Sequence, residues 1–251
     1  MSQLLNPRDM VVLTVLALMY GAPMDRVAQM LGVGTKSAYR ITAKWRAAHM
    51  ISDLRIRPVL GPTWVFPTRS ASEALTGLSA RYWTPTPKMA AHVTTVLDLR
   101  LALVGLDLER WISERELRAQ VGPVKAGQAR PHIHDGRFYD DEGKLWAVEA
   151  ELTPKNDAQA KVAVAKAKAA AAQADCVGLI YYCKGAAVRT VITGAAQAAA
   201  NIEGPAIRVA DIEQVLKPEA RPGLRVIEGG AASDHDGQDE AAGQLERLVR
   251  S

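Results

Sequence analysis

Apolar residues run almost without a break from Val11 to Met19, directly after Asn6-Pro7, and stop at Gly21. Asn as an N-cap with Pro at the first helical position predicts a helix start, and the dense apolar run predicts that this helix is buried. Pro23 opens a shorter segment in which Val27, Ala28, Met30 and Leu31 alternate with Asp25, Arg26 and Gln29, closed by Gly32-Val33-Gly34. A third helix is expected from Thr35, acting as its cap, to about His49, with Ala38, Ile41, Ala43 and Trp45 as its apolar contacts. Two helices joined by a short Gly-containing turn form a helix-turn-helix pattern. The period then changes to two: residues 51–57 (ISDLRIR) set Leu54 and Ile56 against Asp53, Arg55 and Arg57. A turn from Pro58 to Pro62 and a second short strand, Thr63 to Phe66, complete a ribbon that reads as a wing, and Ser70 to Leu78 forms a closing helix. The Gly turn and the ribbon favour this winged arrangement over a small helical bundle with solvated charges.

Residues 81–88 (RYWTPTPK) hold two X-Pro pairs, which stop helices, so they read as a boundary or strap whose aromatics pack somewhere. From Met89 to about Leu117 the pattern is helical, with Val93, Val96, Leu97, Leu101, Val104 and Leu108 as the stripe and a break expected near Gly105. Residues 130–139 (RPHIHDGRFY) predict a strand kinked at Asp135-Gly136, and Asp140 to Gly143 a hairpin turn. Residues 145–152 (LWAVEAEL) predict a strictly alternating strand. Further strands are expected at Val177–Tyr182 and Val188–Ile192. The alanine-rich stretches 158–174 and 195–200 are good helices by propensity.

The formal net charge of +4 is unevenly placed. Residues 1–88 carry eleven Lys or Arg against four Asp or Glu, and 89–251 carry twenty against twenty-three. Basic charge concentrated on a helix-turn-helix points to nucleic acid. In that motif the second helix enters the major groove and presents its N-terminal residues to base edges. Here these are Thr35, Lys36, Ser37, Tyr39 and Arg40. Lys44 and Arg46 lie further along, where phosphate contacts are expected. Arg55 and Arg57 share one face of the wing. The expected partner is double-stranded DNA, and palindromic half-sites would imply a homodimer. Two cysteines, Cys176 and Cys183, are too few for a disulfide framework and read as small buried hydrophobes of a cytoplasmic, nucleoid-associated protein. No apolar stretch reaches the ~20 residues of a membrane span, so no membrane partner is expected.

On the 145–152 strand, Glu149 and Glu151 share one face while Trp146, Val148, Ala150 and Leu152 share the other. A hairpin centred between Asp141 and Glu142 sets Asp135 opposite Val148, beside Glu149, and Lys155 follows at the entrance to the next helix. Three acids and a lysine at a strand end suit Mg²⁺ or Mn²⁺, which take carboxylate oxygens, with the lysine supporting a phosphate. The competing interpretation is an exposed strand face with Glu paired to Lys. The apolar opposite face and the strands that follow weigh for a sheet interior, where clustered acids are costly. His132 and His134 share a face beside Asp135, as metal ligands or as sheet-edge and phosphate contacts.

The order helix, three strands with Glu-x-Glu on the third, helix, strand resembles the PD-(D/E)xK nuclease-like fold. The resemblance assigns Asp135 as the metal-binding Asp and Glu149 as the first acid of the strand pair. Glu151 stands where the motif has lysine, and Lys155 would replace it from the following helix. Glu114 matches the acid that many members carry on the first core helix. With the winged helix, Tyr82-Trp83 and His92, the arrangement over residues 7–195 looks like the replication-relaxation family of actinobacterial plasmids, phages and integrated elements. The resemblance implies an α+β or α/β chain: a winged helix-turn-helix (1–80), a linker (81–91), a restriction-endonuclease-like αβββαβ domain (92–227) and a disordered acidic tail (228–251). It implies a role in replication or maintenance of a mobile element, with element-encoded or replication proteins as partners. One version is a metal-dependent endonuclease in which Asp135 and Glu149 hold Mg²⁺ or Mn²⁺, Glu151 is a further ligand or base, Lys155 supports the phosphate and Glu114 assists. The other is a non-catalytic DNA-binding regulator or accessory factor.

Overall fold

The computed structural model describes residues 5–81, 83–123, 127 and 130–217; the acidic tail 228–251 and Tyr82 lie outside them. The chain is mixed α+β with a five-stranded mixed sheet. The N-terminal part contains α1 (Pro7–Leu18), β1 (Ala22–Pro23), α2 (Met24–Leu31), α3 (Thr35–Ala47), β2 (Trp64–Val65) and α4 (Arg69–Thr76). Asn6 caps α1 by accepting from the Asp9 amide with Pro7 in the first turn, as its sequence predicts. Gly32, at φ 64°, ends α2 in the left-handed region that a side chain resists. Gly34 rather than Thr35 is the N-cap of α3, and it makes no side-chain cap bond.

The expected strand over 51–57 is reduced to two isolated bridges, Ile51 with Pro67 and Ile56 with Trp64. Pro58 and Pro62 remove ladder donors, and Ser52 Oγ draws the Leu54 amide into a local turn. The regular pairing is instead β1 with β2, antiparallel, which ties the segment between α1 and α2 to the base of the ribbon. Gly21 makes that pairing feasible: at φ 109°, a Cβ there would stand 2.5 Å from the Val65 carbonyl oxygen.

The second part contains α5 (Pro87–Leu103), β3 (Trp111–Ser113), α6 (Glu114–Val121), β4 (Gly136–Tyr139), β5 (Leu145–Glu151), α7 (Asp157–Gln173), β6 (Gly178–Cys183), α8 (Ala186–Ala198), β7 (Ala206–Asp211) and α9 (Ile212–Leu216). The single helix expected over 89–117 is therefore two helices with a strand between them. Gly105 at φ 64° interrupts it, and the Asp107 carboxylate caps the following turn by accepting from the Glu109 and Arg110 amides. Val188–Ile192 is helical, not a strand: Val188 and Ile192 are four residues apart, both buried, and lie within α8.

The sheet order is β3-β4-β5-β6-β7, with β3, β4 and β5 antiparallel and β5, β6 and β7 parallel. One face, carrying Val148, Ala150, Ile180 and Tyr182, shares a continuous core with α5, α9 and the N-terminal helices. The other, carrying Ala147, Leu179, Tyr181 and Cys183, packs on α7 and α8. Two glycines admit tryptophan rings onto the sheet: Trp111 covers Gly136 and Trp146 covers Gly178, so close that a Cβ would meet the rings at 2.3 and 2.1 Å. The N-terminal part is also fixed to α5 by Arg26, whose Nε and Nη2 donate to the two oxygens of Asp98 at 2.6 and 3.0 Å. Trp83, in the expected strap, packs among Tyr20, Trp64 and Phe66, while α5 already begins at Pro87.

Candidate functional site

Two groups of side chains stand out. The first is the outer face of α3, whose inner face is set by Ala38, Thr42 and Trp45; Trp45 Nε1 donates to Asp9 Oδ2 at 3.0 Å and so anchors the helix to α1. That anchoring leaves Thr35, Lys36, Tyr39, Arg40 and Lys44 exposed and Ser37 half-buried. Among the described residues no acid pairs with Lys36, Arg40 or Lys44. Arg46 is placed differently from its expected phosphate contact. It is half-buried, donates through Nε to the Ser52 carbonyl at 3.3 Å and lies 3.9 Å from Asp53, so it braces the ribbon base. Arg55 and Arg57 are exposed on the ribbon, and Leu60 at its tip is fully exposed.

The second group lies at the open end of the β4–β5 hairpin. Asp140 accepts from the Glu142 and Lys144 amides and Gly143 takes φ 75°, which fixes the turn at residues 140–144 and pairs Gly136 with Val148. The register is one residue from the expected one, which had set Asp135 opposite Val148. It carries Asp135 one step beyond β4, level with Glu149. The strand expected from Arg130 begins only at Gly136, because Asp135 Oδ2 accepts from the Ala150 amide at 2.8 Å and takes the donor that a longer β4 would have used. The other oxygen, Oδ1, accepts from His92 Nε2 of α5 at 2.9 Å. Glu149 Oε1 accepts from His132 Nε2 at 2.7 Å.

Burial, together with the charge of Asp135, pushes the Glu149 carboxyl up to about 7, against the opposing pull of His132. The hydrogen bond to Asp135 raises His92 in spite of burial. Burial pulls His132 down, but its bond to Glu149 and the nearby acids outweigh that and leave it raised. His134 is wholly buried and held neutral, lowered to about 4 by burial: its Nε2 donates to the Ala167 carbonyl and its Nδ1 accepts from Arg137. The His132, His134 and Glu149 ligand atoms lie within 4.8 Å of one another, but both His134 nitrogens are already engaged, so His132 is the imidazole free to bind a metal.

Glu151, two residues along the same face, is ion-paired with Lys155 and thus set apart from Glu149. Burial lowers the Lys155 amine. Glu114 is the first residue of α6, pairs with Arg118 and, with His92, Asp135 and Tyr20, lines a crevice of about 20 Å³. The structure thus brings Asp135 and Glu149 together, with Glu114 at the edge. It adds His92, His132 and Tyr181, whose hydroxyl is raised by burial and then by Glu149 and Asp135. Tyr181 sits directly across from Glu149 in β6, and no sequence spacing pointed to it; only the parallel register does.

The folded chain holds protons on Glu149, His92 and His132 more tightly than their ordinary values, so these groups stabilise it at acid pH and lose that contribution as pH rises through their folded values. For Glu149 the window runs from about 4.5 to about 7. The melting temperature is expected to fall between pH 5 and pH 8 in metal-free buffer, and Glu149→Gln is expected to flatten the fall. A wild-type profile that rises over this interval would contradict the assignment.

Comparison with protein-family profiles, with curated proteins and with solved structures finds no match for this chain.

Proposed function

We propose that the protein binds double-stranded DNA through α3 and the following ribbon, as a winged helix-turn-helix does, and brings a PD-(D/E)xK-like acidic site to it. The observation that carries this reading is the outer face of α3, where Lys36, Arg40 and Lys44 stand exposed without a carboxylate partner among the described residues. An unpaired basic helix face costs self-repulsion unless polyanion phosphates neutralise it. Thr35, Ser37 and Tyr39 then face base edges, while Arg55 and Arg57 meet phosphates beside the ribbon. The order of elements from α5 to β6, with Glu149 on the third core strand, supports the resemblance to the replication-relaxation family and hence a role on a plasmid, phage or integrated element.

The donor set fits a divalent cation. Asp135 and the buried, proton-seeking Glu149 repel each other, and His132 adds an imidazole, a set that suits Mn²⁺ better than Mg²⁺. When bound, such an ion would lower the pKa of a water and stabilise charge on a phosphate. The chain's own contribution is orientation: the Ala150 amide and His92 fix both oxygens of Asp135, and burial keeps Glu149 dry. Lys155, neutralised by Glu151 in this arrangement, reaches a phosphate only if that pair opens. That pair, and an imidazole on each acid, favour the second reading, in which the domain is a non-catalytic DNA-binding platform.

Incubation with supercoiled plasmid and Mg²⁺ or Mn²⁺, beside Glu149→Ala, separates the two. Metal-dependent nicking that the variant abolishes is expected of the nuclease. DNA binding without cleavage under both metals would leave the platform, and no DNA binding at low salt would refute both.

A further inference from the structure

A separate cavity of about 120 Å³ opens on the side of the molecule where the N-terminal part, the 81–83 connector and α6 meet. Its wall carries three guanidinium groups, Arg69, Arg81 and Arg115, and no carboxylate. Glu73 engages Arg69 at 3.0 Å from outside the wall, and Glu114 pairs with Arg118 instead. Arg81 and Arg115 therefore have no acid within ion-pair distance among the described residues. Arg115 lies 4.4 Å over the ring of Tyr20, which holds its plane in place. Tyr20 is itself fixed at φ 64°, a backbone conformation that a bulky residue adopts only when its surroundings impose it.

Two further signs point to an occupant. Arg115 Nε and the Trp83 indole N–H are both buried without an acceptor, and both residues belong to this wall. Buried donors left unpaired are costly, so a wall that retains two of them beside converging positive charge is arranged for an acceptor-rich group. The remaining polar wall is hydroxyl: Ser72 is buried and Thr68 stands at the start of α4. The volume holds roughly four waters by their share of the liquid, enough for one tetrahedral oxyanion and too little for a whole nucleotide.

We propose that this cavity is a binding site for a phosphate group, either free orthophosphate or the terminal phosphate of a small phosphomonoester whose organic part lies outside the mouth. Guanidinium forks match phosphate oxygens geometrically, and three of them from separate segments favour a dianion over a carboxylate. The site is independent of the α3 face and of the acidic hairpin. Because Arg69, Arg81 and Arg115 come from α4, the connector and α6, an occupant joins the N-terminal part to the sheet domain.

The test is isothermal titration of the whole chain with sodium phosphate and, separately, with AMP, at constant ionic strength, for wild type, Arg81→Gln, Arg115→Gln and Arg40→Gln. One saturable site is expected in wild type and in Arg40→Gln, weakened about tenfold or more in the two pocket variants. Arg81 is exposed, so its replacement tests the site even if loss of the Arg115–Tyr20 stack impairs folding. Tighter binding of AMP than of phosphate would identify a phosphomonoester as the occupant, and equal affinity would identify the phosphate group alone. Absence of saturable binding by either probe, unchanged affinity in Arg81→Gln, or loss in Arg40→Gln would overturn the proposal.

Discussion

Gly136→Ala is expected to lower stability by about 1–3 kcal/mol, the usual cost of overpacking a filled core. The physical reason is the ring of Trp111, which lies against the glycine and would meet the new methyl at 2.3 Å. Trp111 is 1% exposed and has no free volume to retreat into, so either its rotamer or the β3–β4 pairing must shift. In a chain of this size the melting temperature should fall by roughly 3–10 °C. The effect reaches the acidic site, because Asp135 is the neighbouring residue and its bond to the Ala150 amide depends on where β4 begins. Gly194→Ala is the matched control of opposite sign. It lies exposed within α8 with nothing near its absent Cβ, so the added methyl should stabilise by about 0.5–1 kcal/mol. Thermal unfolding of the two variants, side by side, checks both; a neutral Gly136→Ala would mean that Trp111 does not cover the strand.

Simultaneous Lys36→Ala, Arg40→Ala and Lys44→Ala substitution is expected to weaken duplex binding by roughly a thousandfold at 50 mM salt. Each phosphate contact contributes about −0.9 to the slope of log affinity against log salt, so three lost contacts should make the slope shallower by about 2.7. The side chains are exposed and make no ion pairs among the described residues, so their removal leaves the α3 anchor, Trp45 on Asp9, in place. Arg46→Ala serves as a contrast. Because its guanidinium braces the Ser52 carbonyl rather than standing free, it should shift stability more than the salt slope. Fluorescence anisotropy across a salt series gives both quantities, and a slope unchanged in the triple variant would remove α3 from the interface.

Local chemistry accounts for what was legible in the sequence. Asn6-Pro7 starts α1 and Gly32 stops α2 because capping and left-handed backbone are properties of those residues wherever they occur. The alternation of residues 145–151 fixes which side chains share a face of β5, so Glu149 and Glu151 were found together from the pattern alone. The basic N-terminal part follows from a count of charges.

What the sequence left open depends on partners distant in the chain. Val188 and Ile192 carry strand propensity, yet a strip of sheet to pack against turns their four-residue spacing into the inner face of a helix. The one-residue register at Gly136 is decided by the Asp140 turn and the Ala150 amide, not by the hydrophobic pattern, which tolerates either pairing at the hairpin mouth. Glu149 and Glu151 look equivalent in sequence, but Lys155 takes one while burial beside Asp135 and His132 takes the other. His92 and Tyr181, which face the same two acids from α5 and β6, lie 43 and 32 positions from Asp135 and Glu149 respectively. The sequence by itself determined the elements, their amphipathic faces and the placement of charge, because these are set by neighbours within a few residues. Only the tertiary structure decided which acids share a site and which arginines share a cavity, because those choices belong to segments that meet only once the core has closed.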